Sequence, residues 1–171
     1  MPTPHPAFRT ASGLTDWARR VLDAPRSAML ATVNLDGSPH VVPVGFGFDG
    51  ARILVPTQSK TRKVRNLEAD PRARVLVEAP VAVTGIDDGW VAADGTATIV
   101  RGPEARELGL LAMDRYLTDE GKPKFDEVFL AILDVTIVLV PERWQTWDES
   151  GMHETMRQHG YTAEDAARWY R

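Results

Sequence analysis

The sequence predicts an α+β fold: an antiparallel sheet of about six strands that closes on itself as a barrel, with flanking helices. Three observations predict it. Short apolar runs rich in β-branched residues recur along the chain. Asp36-Gly37, Asp49-Gly50 and Asp94-Gly95 punctuate them as tight hairpin turns would. Consecutive hairpins make neighbouring strands antiparallel, and a sheet of this size removes its exposed edges by closing. The 171 residues suit a single domain spanning 1–171.

The elements follow in order. Residues 1–13 are Pro-rich and read as a loose N-terminal arm. "LTDWARRVLDAP" places Leu14, Trp17, Val21 and Leu22 on one helical face and stops before Pro25. "SAMLATV" is a strand, and "PHVVPVGFGF" is its return partner. Pro43 there marks an edge or a bulge, and Gly45 and Gly47 mark a close approach to the backbone. "ARILVPT" is a third strand, which delivers the chain to a short helix ended by Asp70-Pro71. "RARVLVE" is a fourth strand. Asp87-Asp88-Gly89 and Asp94-Gly95 bracket "WVAA", with "TATIV" beyond, as a further hairpin. Glu104 to Leu117 reads as a helix with Leu108, Leu111 and Ala112 on a common face. "TDEGKPK" reads as a loop, and Asp134 to Val140 as a buried strand. Residues 148–171 form a helical extension, in which Thr162 and Asp165 have the spacing of a capping box.

The short helix after the third strand carries the functional signal. Lys60, Arg62, Lys63 and Arg65 crowd its start, and Glu68 and Asp70 lie at its end. Ser59 or Thr61 can cap it, and Val64 and Leu67 share its buried face. A helix is partially positive at its N-terminus, so each misplaced exposed charge costs about 0.3–1 kcal/mol. The reversed order makes sense if an anion such as a phosphate binds where free N–H groups already point outward. The competing reading is a solvated basic face.

Composition bounds the function. The net charge is −4, which argues against nucleic acid, whose backbone demands a broad basic surface. There are no cysteines, which excludes disulfides and thiolate metal sites. His153 and His159 in "HETMRQH" lie six apart on different helical faces, so no metal site is expected. The start lacks the apolar run of a signal peptide, and no stretch is long enough to span a membrane, so the expected location is cytoplasmic.

The segment "TQSKTRKVRNLEADPR", set between strands behind a hairpin, resembles the pyridoxamine 5'-phosphate oxidase-related superfamily of FMN- and deazaflavin-binding split β-barrel oxidoreductases. In that family a strand ends in Thr, a Ser/Thr-Arg-Lys triplet follows, and the segment closes in Asn/Asp-Pro-Arg. Thr57, Thr61-Arg62-Lys63 and Asp70-Pro71-Arg72 match these features. The resemblance runs from about Ser27 to Val140. It implies that Thr57, Thr61, Arg62 and Lys63 hold the cofactor phosphate, with Lys60 as an accessory. It further implies that the strand with His40, Val41, Val42 and Pro43 lies along the flavin ring. The "PERWQTW" tail resembles the Trp-Gln that the oxidases place near the flavin, so Trp144, Gln145 and Trp147 are candidates for the ring. Plain packing is the alternative for these apolar residues.

The second strand, "HVVPVGF", lacks the Arg and Lys of the oxidase proper, so vitamin B6 itself is not the expected substrate. No nucleophile–base pair stands out, and the catalytic residues are unassigned. That suits an enzyme whose cofactor carries the hydride chemistry while the protein binds and orients. The expectation is an oxidoreductase using FMN, or alternatively coenzyme F-420, on a small organic substrate. The alternative is a non-enzymatic flavin or haem binding module. So small a barrel offers little cover for a ring system, and the resemblance implies a homodimer with the cofactor site at the interface.

Overall fold

The computed structural model describes residues 8–11, 13–24, 27–79, 89–128, 131–148, 150–162, 164, 165 and 168. In chain order it contains β1 (Phe8–Ala11), α1 (Asp16–Asp23), β2 (Ser27–Val33), β3 (Pro39–Gly45), β4 (Gly47–Phe48) and β5 (Ile53–Thr57). Then come α2 (Arg62–Ala69), β6 (Arg72–Ala79), β7 (Gly89–Arg101), α3 (Pro103–Met113) and a 3-10 turn (Asp114–Tyr116). The chain continues through α4 (Gly121–Val128), β8 (Val135–Asp148) and α5 (Ser150–Gln158). The expected turn at Asp87-Asp88 lies outside the described residues, as does most of the helix expected after Thr162.

The α+β class and the antiparallel sheet are as the sequence predicts, but the closed six-stranded barrel is not. The sheet has eight strands, and its hydrogen-bonded path, β3-β2-β6-β7-β8-β5-β4, is open. Of the two extra strands, the two-residue β4 is the far end of the run read as a single return strand, set off from β3 at Phe46, and β1 lies in the arm expected to be loose, where Phe8–Ala11 pair with Trp144–Trp147. The two ends of the path, β3 and β4, are consecutive in the chain with only Phe46 between them. The sheet therefore curls until its ends are one residue apart, and a covalent link closes it where a ladder would. Pro43 sits on the end strand β3, as its missing N–H requires. β8 is the hub: β7 lines one side along its whole length, while β5 and β1 share the other.

Asp94-Gly95 is not a turn. β7 runs straight through it, and the register shifts there against β8, leaving Glu142 as the extra residue of a bulge. A Cβ on Gly95 would stand 2.0 Å from the Val140 carbonyl oxygen, so the close approach, not a reversal, selects glycine. The stretch expected to be a loop starts α4 instead. The Thr118 carbonyl accepts from the N–H groups of Gly121 and Lys122, and Pro123 falls in the first turn, where its missing donor costs nothing.

The core fills the inside of the curl. Ala18, Val21 and Leu22 of α1 enter it against Phe46, Ile53, Val75, Val77 and Ile137. Outside, α3 covers β5 and β8 with Ala105, Gly109 and Ala112, spaced four and three apart. This small-residue face leaves Leu111 outward and 55% exposed, against the sequence reading. Among the described residues, nothing comparable covers the outer face over β3, β2 and β6. Val41 and Ala31 pair across it, as do Pro43, Met29 and Leu76, and Met29 and Val41 are 44% and 57% exposed.

Candidate functional site

β5 ends at the buried Thr57, whose ladder partner is Val135, and the chain then turns through Gln58–Thr61 into α2. Val64 and Leu67 anchor α2 in the core, as their spacing predicts. Thr61 occupies the N-cap position with extended backbone, yet its side chain makes no capping bond. Its hydroxyl donates to the Gln58 carbonyl at 2.9 Å. Ser59 is turned away toward Asp134. The N–H groups that open α2 thus receive no side-chain acceptor from either expected cap.

The charges of α2 are compensated unequally. At its C-terminal end the acids are neutralised: Arg101 bonds Glu68, and Arg72 bonds Asp70 at 2.6 Å. The Asp70 carboxyl is lowered to about 2, chiefly by the Arg72 side chain. Elsewhere Arg52, Arg74, Lys122, Arg143 and Arg157 all pair with carboxylates. Among the described residues, Lys60, Arg62, Lys63 and Arg65 have no ion-pair partner, a state they share with Arg19, Arg20 and Lys124. Lys63 is half-buried, and desolvation pushes its ammonium below the usual lysine range. A desolvated cation without a counter-ion is a place where a bound anion gains more than it would at a solvated one.

Asn66 locks α2 to the first hairpin. Its amide is 3% exposed and donates to Thr32 Oγ1 and Asn34 Oδ1, both at 3.0 Å. Thr32 pairs with His40, so α2 and β3 are fixed relative to each other through β2. Between the hairpin turn and α2 lies a polar recess of about 440 Å³, lined by Asp36, Ser38, Arg62, Arg65 and Asn66 among others. On β3, His40 and Val42 are half-buried, whereas Val41 and Pro43 face out from the uncovered side. Sequence reasoning missed Asn66, although an Asn inside a short helix is a weak helix former and invites a tertiary reason.

The aromatic candidates lie elsewhere. Trp144 is a core residue, 8% exposed, packed edge-on against Phe48 with ring centroids 6.0 Å apart. This is the packing role given above as the alternative to a place at the ring. Gln145 is buried and directs its amide toward Asp94, which also accepts from Arg74 and Arg143. Trp147 is half-buried and pairs with Trp90 and Phe8. Val135, beside Thr57, and Trp144 are both on β8, nine positions apart, or roughly 30 Å along a strand. Trp144, Gln145 and Trp147 thus sit further along β8 than Val135, the residue paired with Thr57 where the chain leaves for α2. Among the described residues no group of three His, Asp or Glu stands together to hold a metal.

Comparison with known proteins decides the lineage: the pyridoxamine 5'-phosphate oxidase family matches residues 14–148, from α1 to the end of β8. The chain belongs to this family. Within it, the chain is 30% identical over 118 residues to an F-420H(2)-dependent biliverdin reductase of Mycobacterium tuberculosis, covering 67% of this chain and 81% of that protein. Among solved structures it is similar to a conserved hypothetical protein of Mycobacterium tuberculosis, at 30% identity and a TM-score of 0.65, covering 82% of this chain and 88% of that one. It is also similar to an F-420 reductase, at 27% identity and a TM-score of 0.58, covering 77% of this chain and 98% of that one. At the level of the pyridoxamine 5'-phosphate oxidase family, these likenesses support a flavin- or deazaflavin-related oxidoreductase.

Proposed function

We propose that the chain is an oxidoreductase that binds coenzyme F-420 by its phosphate at the start of α2 and passes hydride between the deazaflavin ring and a small organic substrate. The observation that carries the reading is the half-buried Lys63, which has no carboxylate partner among the described residues, beside the exposed Arg62, while the acids at the other end of the same helix are neutralised. When bound, the deazaflavin supplies the hydride chemistry. The protein's share is to grip the phosphate through Lys63 and the forked Arg62, and to hold α2 against β2 and β3 through Asn66.

FMN presents the same phosphate, and the sequence leaned toward it. The relatives named above favour F-420, because both whose names state a cofactor name that one. Pyridoxamine phosphate is not the proposed substrate, since β3 offers it no Arg or Lys. A second copy of the chain is part of the proposal. The outer face left uncovered among the described residues presents Met29 and Val41, and a second copy seated on it would add the wall that a ring system needs.

The test is titration of the purified protein with F-420 and with FMN, followed by fluorescence, and then reduction of the bound ring by a nicotinamide or sugar-phosphate donor system. Micromolar or tighter binding of F-420 with FMN at least tenfold weaker supports the reading. Tighter binding of FMN reassigns the cofactor, binding without any turnover makes the protein a cofactor-binding module, and binding of neither ends the proposal.

A further inference from the structure

The turn that launches α2 is held from a distance. The β5–β8 ladder ends at Thr57 and Val135, and Gln58–Thr61 continue without a strand partner. Asp134, one residue before Val135, reaches back across this gap. Its Oδ1 accepts from the Ser59 backbone N–H at 2.6 Å, and its Oδ2 accepts from the Ser59 hydroxyl at 2.5 Å. Both carboxylate oxygens thus serve one residue 75 positions away. These bonds keep the Asp134 carboxyl below the usual carboxylate range, the hydroxyl contributing most.

The placement is otherwise unfavourable. Lys60, Arg62 and Lys63 follow within four residues of Ser59, and an exposed carboxylate beside them would repel any anion they bind. An acid that merely decorated this surface would weaken the site. An acid that takes both of its bonds from the turn's own donors fixes the turn, and that hold offsets the repulsion its charge still exerts. Arg101 bears on the Asp134 carboxylate electrostatically and bonds Glu68 on α2, so the helix is braced from the β7–β8 end at both its start and its finish.

We infer that Asp134 is a positioning residue for the cofactor's anionic end: through Ser59 it fixes the Gln58–Thr61 turn, and so the start of α2, in the geometry that receives the anion. This role rests on the function proposed above. It also settles which hydroxyls serve the ligand. The Ser59 hydrogen is committed to Asp134 and the Thr61 hydrogen to Gln58, leaving Thr57, Lys60, Arg62, Lys63 and the opening N–H groups of α2 as donors.

The experiment uses the full chain as Asp134→Ala, Asp134→Asn, Ser59→Ala and the double Ser59→Ala/Asp134→Ala variant, with two readouts. In the first, F-420 and FMN are titrated into each. Asp134→Ala and Ser59→Ala should each weaken binding about tenfold, Asp134→Asn less, and the double variant no more than the singles. Tighter binding in Asp134→Ala would show that the charge only repels, and additive losses would separate the two residues. Either overturns the inference. In the second readout, amide exchange is followed in the cofactor-free protein. Amides 59–63 should exchange about tenfold faster in Asp134→Ala, with those of β5 and β8 unchanged. Unchanged exchange at 59–63 overturns the hold on the turn. If the native chain binds neither cofactor, the proposed function fails, and the exchange result decides the role of Asp134 in the turn by itself.

Discussion

The hydroxyl of Tyr116 bonds both backbone polar groups of Phe46: it accepts from the N–H at 3.2 Å and donates to the carbonyl at 3.0 Å. Phe46 is the one residue between β3 and β4, where the chain leaves one end of the sheet for the other. Arg115 lies over its ring, 4.9 Å from the centroid, and donates to the Leu22 carbonyl. The 3-10 turn after α3 therefore clasps the point at which the curled sheet is joined.

Tyr116→Phe should destabilise the fold by about 1–3 kcal/mol, because it leaves two part-buried backbone groups without their partner while changing little volume. Urea denaturation checks this. A loss under about 0.3 kcal/mol would show that water replaces the hydroxyl freely.

Gly47→Ala should be costlier than its size suggests. The added Cβ would meet the Ala112 Cα at 2.4 Å, a backbone atom that cannot swing aside. The variant forces α3 off the sheet, with a loss of about 1–3 kcal/mol or more. Gly13→Ala, which meets nothing within 4 Å, is the matched control and should be near neutral in the same melt.

Lys63→Met should weaken cofactor binding by about 1.5–3 kcal/mol, the worth of a charge-assisted hydrogen bond. The cofactor-free fold should be as stable or more so, since a desolvated cation is gone from the positive end of a helix. Equal affinity in the native and Lys63→Met chains would remove Lys63 from the site.

The pH dependence follows from the same residue. Burial lowers the Lys63 value in the folded state, so the unfolded chain holds that proton more tightly. Between the lowered value and about 10.4, rising pH therefore stabilises the cofactor-free fold through this group. Anion binding needs the charged form, so cofactor affinity should fall across the same window. Lys63→Arg, which stays charged there, should flatten the binding profile. An affinity in the native chain that stays level as the pH is raised to about 10.4 contradicts the assignment.

Light scattering should find a dimer at micromolar concentration. Met29→Glu combined with Val41→Glu should yield folded monomers, because both side chains are exposed on the uncovered face and carry no core packing. A native monomer that binds cofactor would rule out the shared site.

The antiparallel class, α1, β2, β3, β5, β6 and the basic α2 were legible because each rests on local chemistry: apolar spacing, an Asp-Gly turn, a stopping proline. The capping box was legible too, and Thr162 and Asp165 exchange their bonds as its spacing predicts. What stayed hidden depends on partners far along the chain. Asp94-Gly95 carries the same letters as a turn, and only β8 opposite makes it a bulge. For Trp144 the sequence left ring and packing open, and only Phe48, arriving from β4, makes it a core residue. The α2 site shows the same division. Its bases declare themselves in six consecutive residues, whereas the lack of counter-ions, the Asn66 lock and the Asp134 strut exist only after folding.

The position of β8 has a consequence for synthesis. β8 pairs with β7, β5 and β1, yet it follows all of them in sequence. On a ribosome adding roughly 5–20 residues per second, β2, β3 and β6 can zip soon after Ala79 emerges. β5 cannot complete its pairing: Ile53, Leu54 and Val55 wait for Val135 to Leu139, roughly 4–16 seconds behind. Throughout that interval one of the chain's most apolar strands has only the two-residue β4 as a ladder partner, and α3, which packs on its outer face, emerges only past the midpoint. Translational pausing between Thr57 and Val135 would lengthen this exposure, and codon choice across that stretch would set the yield of native protein more than codon choice after Asp148.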